Sequence, residues 1–115
     1  MLFVPCVVRI NLLSPKTLAD QHLVAEYNEI LMLLGYVKNY PTKENIPSQY
    51  LLGPGHIRFF KDKLKYLANR HELLKKEMRR RGFKPVKTID LGDFPPELRG
   101  DWRATEKDKK IIRAR

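Results

Sequence analysis

Two apolar stripes, each repeating every three or four residues and separated by proline, constrain this chain more than any other feature. The first runs through Leu23, Val24, Tyr27, Ile30, Leu31 and Leu34. Ser14-Pro15 ahead of it reads as a cap followed by proline at the first helical position, so a long amphipathic helix is predicted, ending near Val37 to Tyr40. The second stripe is Phe60, Leu64, Leu67, Leu74 and Met78, with His71 on the same line. It predicts one helix from about Gly55-His56 to Gly82, whose glycine supplies a C-terminal stop. Between them, Pro41 to Ser48 holds two prolines and several turn formers and reads as a loop.

The remaining segments lack that period. Phe3 to Leu13 alternates Arg9 and Asn11 with Ile10 and Leu12, which suits extended chain. Lys84 to Arg103 carries Pro85, Gly92, Pro95, Pro96 and Gly100, and should drape irregularly over the helices. Thr105-Glu106-Lys107-Asp108 has the spacing of a capping box and predicts a short last helix. There is no internal repeat. The expected fold is all-α: a small single domain built on two long helices, with a short third helix and irregular connections.

Composition narrows the function classes. With 115 residues, 43% apolar and 31% charged, the chain can hold one core beneath a charged surface. No apolar run reaches the length of a membrane span, and the opening MLFVPCVV is too short for one; the expectation is a soluble, cytoplasmic protein with no membrane partner. Cys6 is the only cysteine, which excludes an internal disulfide and a thiolate metal cluster. The net charge of +10 favours a polyanionic partner, although charge alone is silent about sequence or chemistry.

Three groups of residues could carry chemistry. His22, Glu26 and Glu29 fall at i, i+4 and i+7 on the first helix and share a stripe, but a metal would need a further ligand that the sequence does not identify. The second helix is dense in cations, from Arg58 and Lys61 through Arg70 and Lys75 to Arg81, and could lie along phosphates or simply face solvent. Gly53-Pro54-Gly55 precedes a helix, yet it lacks both the dinucleotide fingerprint and the P-loop lysine, so a plain turn is the better reading. His56 and His71 read as packing or capping residues on this level.

Longer words are more specific. Arg9-Ile10-Asn11-Leu12, then Leu18 to Tyr27 with Glu29, then Leu52-Gly53-Pro54-Gly55-His56-Ile57 with Phe59-Phe60 and Asp62-Lys63-Leu64, then Arg81-Gly82-Phe83 and Leu98-Arg99-Gly100-Asp101, occur in an order and spacing that resembles the pyrimidine-dimer DNA glycosylase family. The resemblance runs from about Val8 to the C-terminus. It implies a small helical repair enzyme that binds damaged double-stranded DNA as a monomer, without metal or other cofactor. Such an enzyme removes one half of a cyclobutane pyrimidine dimer and then nicks the abasic strand.

The resemblance also implies site residues. The family nucleophile is an N-terminal α-amine, which aligns with Val8; an α-amine has a pKa of about 7.7–8.0 against about 10.4 for lysine, so it is far more often unprotonated near neutrality. The essential glutamate aligns with Glu29, for stabilising charge on the sugar and moving protons during elimination. Arg9, His22 and Gln21 match positions that hold DNA around the lesion. Asn11, Asn28, His56 and Arg58, in or beside the same words, complete the expected DNA-binding set.

Three departures accompany the match. Residues 1–7 form an N-terminal extension ahead of the matching domain, 8–115, and the expectation is that Val7 is the true initiator, clipped to expose the Val8 amine. Asn28 and Met32 replace two arginines beside and one turn beyond the glutamate, which weakens the local positive field. The aromatic and basic tail of the family motif is absent, with Trp102 and the Lys107, Lys109, Lys110, Arg113 and Arg115 cluster as partial substitutes. The alternatives are an inactive or altered-specificity damaged-DNA-binding relative, and an enzyme for other lesions that uses a lysine such as Lys16.

Overall fold

The computed structural model describes residues 9–41, 46–50, 52 and 55–114. Four α-helices follow in order: α1 (Asp20–Asn39), α2 (Gly55–Phe59), α3 (Leu64–Arg80) and α4 (Glu106–Arg113). No strand lies among the described residues, and the chain is a small all-α domain as the periodicity predicted. Helices α1 and α3 pack against each other, and Leu23, Tyr27, Ile30, Leu34 and Val37 from one meet Leu64, Leu67, Leu74 and Met78 from the other in a single core. Leu33 is fully buried, whereas Leu31 is only half-buried, so the buried face of α1 is rotated slightly from the predicted stripe.

The start of α1 corrects the sequence reading. Pro15–Thr17 form one 3-10 turn, Leu18 is extended, and the helix proper starts at Asp20 without a side-chain cap. In a continuous helix the carbonyls of Pro15 and Lys16 would accept from residues 19 and 20. Instead Pro15 O accepts from Leu18 N–H at 3.1 Å within the 3-10 turn, and Arg81 Nη2 reaches the carbonyls of Pro15 and Lys16 at 3.2 and 3.3 Å while its Nη1 pairs with Asp20. A tertiary donor from the end of α3 thus serves carbonyls that a continuing helix would use.

The second predicted helix is also divided. A 3-10 turn at Phe60–Asp62 and a non-helical Lys63 (φ −124°, ψ 41°) separate α2 from α3. The cause lies far along the chain: Gly100 N–H donates to Asp62 O (3.2 Å) and Lys65 N–H donates to Gly100 O (3.0 Å), so Gly100 takes the place of a helical partner. A side chain has no room there, because a Cβ on Gly100 would lie 2.6 Å from Asp62 O. Gly100→Ala is therefore expected to lower stability by about 1–3 kcal/mol in urea unfolding. Gly35→Ala, in mid-helix with nothing within 4 Å, is expected to raise it by about 0.5–1 kcal/mol in the same assay.

The predicted stop after α3 and the predicted start of α4 are both present. Gly82 has φ +94°, and Phe83 N–H reaches Met78 O at 2.9 Å while Gly82 N–H reaches Arg79 O at 3.0 Å, the paired bonds of a Schellman stop. Thr105 and Asp108 form the reciprocal capping box that starts α4. The stretch between them is irregular apart from short 3-10 turns at Leu91–Asp93 and Pro96–Leu98.

Candidate active site

The segment from Arg9 to Leu13 belongs to no sheet, so its buried amides need partners elsewhere. Three consecutive N–H groups find them on side chains. Arg9 N–H donates to Glu29 Oε1 at 2.7 Å, Ile10 N–H to His56 Nε2 at 2.8 Å, and Asn11 N–H to Glu26 Oε1 at 3.3 Å. On the carbonyl side, Tyr50 Oη donates to Ile10 O (3.2 Å) and Arg70 Nη1 to Leu13 O (2.6 Å). The segment then reverses at Leu12, whose φ of +64° lies in the left-handed region, with Leu13 N–H bonded to Asn11 O at 2.6 Å. A left-handed leucine in so tight a turn is strained and persists only where its surroundings over-determine it.

Those surroundings rest on one buried ion pair. Glu26 is fully buried, and Arg70 grips it with two bonds, Nε to Oε2 at 2.6 Å and Nη2 to Oε1 at 3.0 Å; Asn11 Nδ2 adds a third to Oε1 at 2.9 Å. A buried carboxylate is tolerable when its lone pairs are filled in this way. Tyr50 completes the frame, since burial pushes its phenol pKa upward and keeps it a donor to Ile10 O.

Glu29 differs from Glu26. It is half-buried and accepts one backbone N–H, leaving carboxylate capacity unused among the described residues. Burial raises its pKa above the ordinary glutamate value; the Arg9 amide opposes the shift, neighbouring Glu26 reinforces it, and the charges of Arg9 and His22 oppose it. The result is a half-buried carboxyl held against the Arg9 amide, with a proton affinity raised by burial. His22, one helical stripe along, is exposed.

The expected residues sort into three groups. Arg9, Glu29 and exposed His22 come together, and Gln21 and Asn28 lie exposed on the adjoining stripe of α1, where Asn28 Nδ2 bonds back to Val24 O at 3.3 Å. Arg9 and Arg58 are half-buried, and the Nε of each is buried without a hydrogen bond; Arg9 Nη2 reaches Ile112 O at 3.4 Å. Asn11 and His56 are 8% and 2% exposed, and both bond within the frame of the N-terminal segment. Val8 and the Gly53-Pro54 turn lie outside the described residues.

The basic helix is corrected as well. Arg70 is inside, Lys75 is buried against Glu72 and Thr88, and Lys61 is buried near the Tyr36 ring, so these cations do not form one phosphate-facing row. His71 is in the core, stacked on Tyr27 at 4.7 Å with Nε2 against Tyr27 O at 3.2 Å. Sequence reasoning missed Tyr50 and the specific importance of Arg70. No periodicity marks the first, and the second is hidden among its basic neighbours.

No group of three or more potential metal ligands is found among the described residues. No described helix is long and apolar enough to cross a membrane. The family model described as pyrimidine dimer DNA glycosylase matches residues 7–91, a span that takes in the clamped segment, Glu29, the buried pair and the whole of α3. A match over most of the chain, including every residue that holds the segment beside Glu29, shows that this protein belongs to the pyrimidine dimer DNA glycosylase family.

Proposed function

We propose that the protein is a glycosylase with abasic-site lyase activity on cyclobutane pyrimidine dimers in duplex DNA, with the α-amine of Val8 as nucleophile and Glu29 as its proton-transfer partner. The observation that carries this reading is the 2.7 Å bond from Arg9 N–H to Glu29, which fixes the carboxyl one residue along the chain from the proposed amine. The amine attacks the anomeric sugar carbon as the glycosidic bond breaks, and the electron pair of that bond leaves with the pyrimidine. Loss of the amine protons and opening of the sugar ring give a Schiff base. Glu29 then accepts a proton from the adjacent sugar carbon, and the 3′ phosphate departs with the electron pair, breaking the strand.

Glu29 suits both parts. Ionised, it faces the positive charge that develops on the sugar; with its affinity for protons raised by burial, it accepts one more readily than an exposed glutamate. Exposed Gln21, His22 and Asn28, with Arg9 and Arg58, are assigned to the DNA around the lesion, and Met32, 43% exposed on the same face as Asn28, offers an apolar surface in place of a cation.

Borohydride trapping on a duplex with a single thymine dimer, using protein that begins at Val8, tests the assignment. The expected result is a covalent adduct on the N-terminal peptide, formed equally well with chelator present. Protein that retains residues 1–7 should give none, because a peptide nitrogen cannot become an iminium. An adduct located on Lys16 would move the nucleophile to that residue; bound DNA with no adduct on either would overturn the lyase assignment.

A further inference from the structure

A groove of about 720 Å³ lies between α3, the turn at Pro15 and the irregular chain at 101–104. Leu12 and Arg70, which also frame the N-terminal segment, form part of its wall. Its lining is mainly apolar, with Leu12, Tyr66, Leu73, Trp102 and Ala104 contributing, and Leu73 is 54% exposed in mid-helix, where burial would be favourable. Around it stand exposed Lys16, Lys76 and Arg103, none of which enters an ion pair among the described residues. Of the two acids on its wall, Glu77 is paired with Arg80 and Arg81, while exposed Asp101 accepts from the neighbouring Trp102 amide and keeps its charge; basic residues still outnumber acids six to two along the lining.

We infer that this groove is a docking site for an acidic peptide segment of a partner protein that carries an apolar anchor residue. The excess of cations favours an anion, and the floor bears on which kind. Single-stranded nucleic acid binds sequence-independently through open aromatic faces on which bases stack. Here the rings of Tyr66 and Trp102 are set edge to face at 5.2 Å, Trp102 is further engaged by Tyr50 and Phe59, and the most exposed apolar group is the aliphatic Leu73. A floor of aliphatic groups and rings packed edge to face, bordered by those unpaired cations, matches an apolar side chain flanked by carboxylates better than it matches a stacked base and its phosphate.

The test is fluorescence anisotropy of the full chain with a labelled probe: a short peptide of aspartate and glycine ending in a Phe-Leu pair. Saturable binding is expected, weakened at least about tenfold by Leu73→Glu or Arg103→Glu and by replacing the probe's Phe-Leu with glycines. Both substitutions are at exposed positions, and thermal unfolding will confirm that each variant folds. Leu73→Glu should keep dimer nicking within about twofold of the parent protein. No binding by the parent, or equal binding by Leu73→Glu, would overturn the proposal. Displacement of the probe by undamaged duplex, with Arg103→Glu weakening duplex and probe alike, would also overturn it and give the groove to DNA. Because the binding assay contains no lesion, its outcome is independent of whether the Val8 and Glu29 chemistry holds.

Discussion

Glu29→Gln is expected to reduce strand nicking at a thymine dimer by about 10²–10⁴-fold while leaving the affinity for the damaged duplex within a few-fold of the parent. Glutamine keeps an oxygen where Oε1 accepts the Arg9 amide, so the segment stays in place. It removes only the charge and the capacity to take up a proton. Gel-shift and single-turnover nicking assays on the same oligonucleotide separate the two effects; parallel loss of binding and nicking would count against the role. The same variant makes a stability prediction with a definite sign. Burial raises the folded pKa of Glu29 above its ordinary 4.5, so its contribution is most favourable below that value and is lost as pH rises through the folded pKa. Glu29→Gln should therefore unfold at a higher temperature than the parent near neutrality, with the gap closing as the pH is brought below about 4.5. A carboxylate that destabilises its own fold fits the role proposed for Glu29.

The second large effect belongs to the buried pair. Arg70→Met should lower stability by about 3–5 kcal/mol in urea unfolding, because Glu26 would remain fully buried with Asn11 as its remaining side-chain donor. It would also strand Leu13 O, which Arg70 satisfies at 2.6 Å. Glu26→Leu alone leaves the complementary charge and should be comparably damaging. Combined, the two substitutions remove both charges and should recover most of the lost stability, giving a coupling of about 2–3 kcal/mol or more in the double-mutant cycle. The double variant should nevertheless nick poorly, since Asn11 N–H no longer has its acceptor and the segment beside Glu29 loses one of its three fixed points. Additive destabilisation, or normal nicking by the refolded double variant, would show that the pair does not position the segment.

What could be read in the sequence divides along a physical line. Apolar period and local caps are short-range signals, and they located α1, α3 and α4, the glycine stop at Gly82 and the Thr105 box. The misplaced boundaries arise where a distant group takes over a local hydrogen bond: Arg81 at the carbonyls of Pro15 and Lys16, and Gly100 between Asp62 and Lys65. Neither can be read from a window of neighbouring residues. The stripe of His22, Glu26 and Glu29 was visible, but three similar positions have three different environments: exposed, fully buried and half-buried. Only the fold shows that Glu26 is enclosed by Arg70 and Asn11 whereas Glu29 accepts a single backbone N–H. The family words pointed to Glu29, Arg9, Asn11 and His56 alike, while identity alone could not tell that Asn11 and His56 are buried.

The three-point hold on Arg9, Ile10 and Asn11 makes the molecule a ruler read from the inside outward. Side chains of α1 and α2 hold the three amides of this segment, and Arg70 of α3 holds its last carbonyl, so the frame is built from groups far along the chain. Each residue moves a terminal nitrogen by one backbone step, about 3.8 Å between successive Cα atoms, which exceeds the tolerance of a reaction needing contact at about 3–3.5 Å. For an amine at Val8, a start one residue early or late is thus an on–off difference in chemistry that leaves folding and DNA affinity almost untouched. On the proposed chemistry, maturation of the N-terminus would act as an activating event that has to be accurate to one residue.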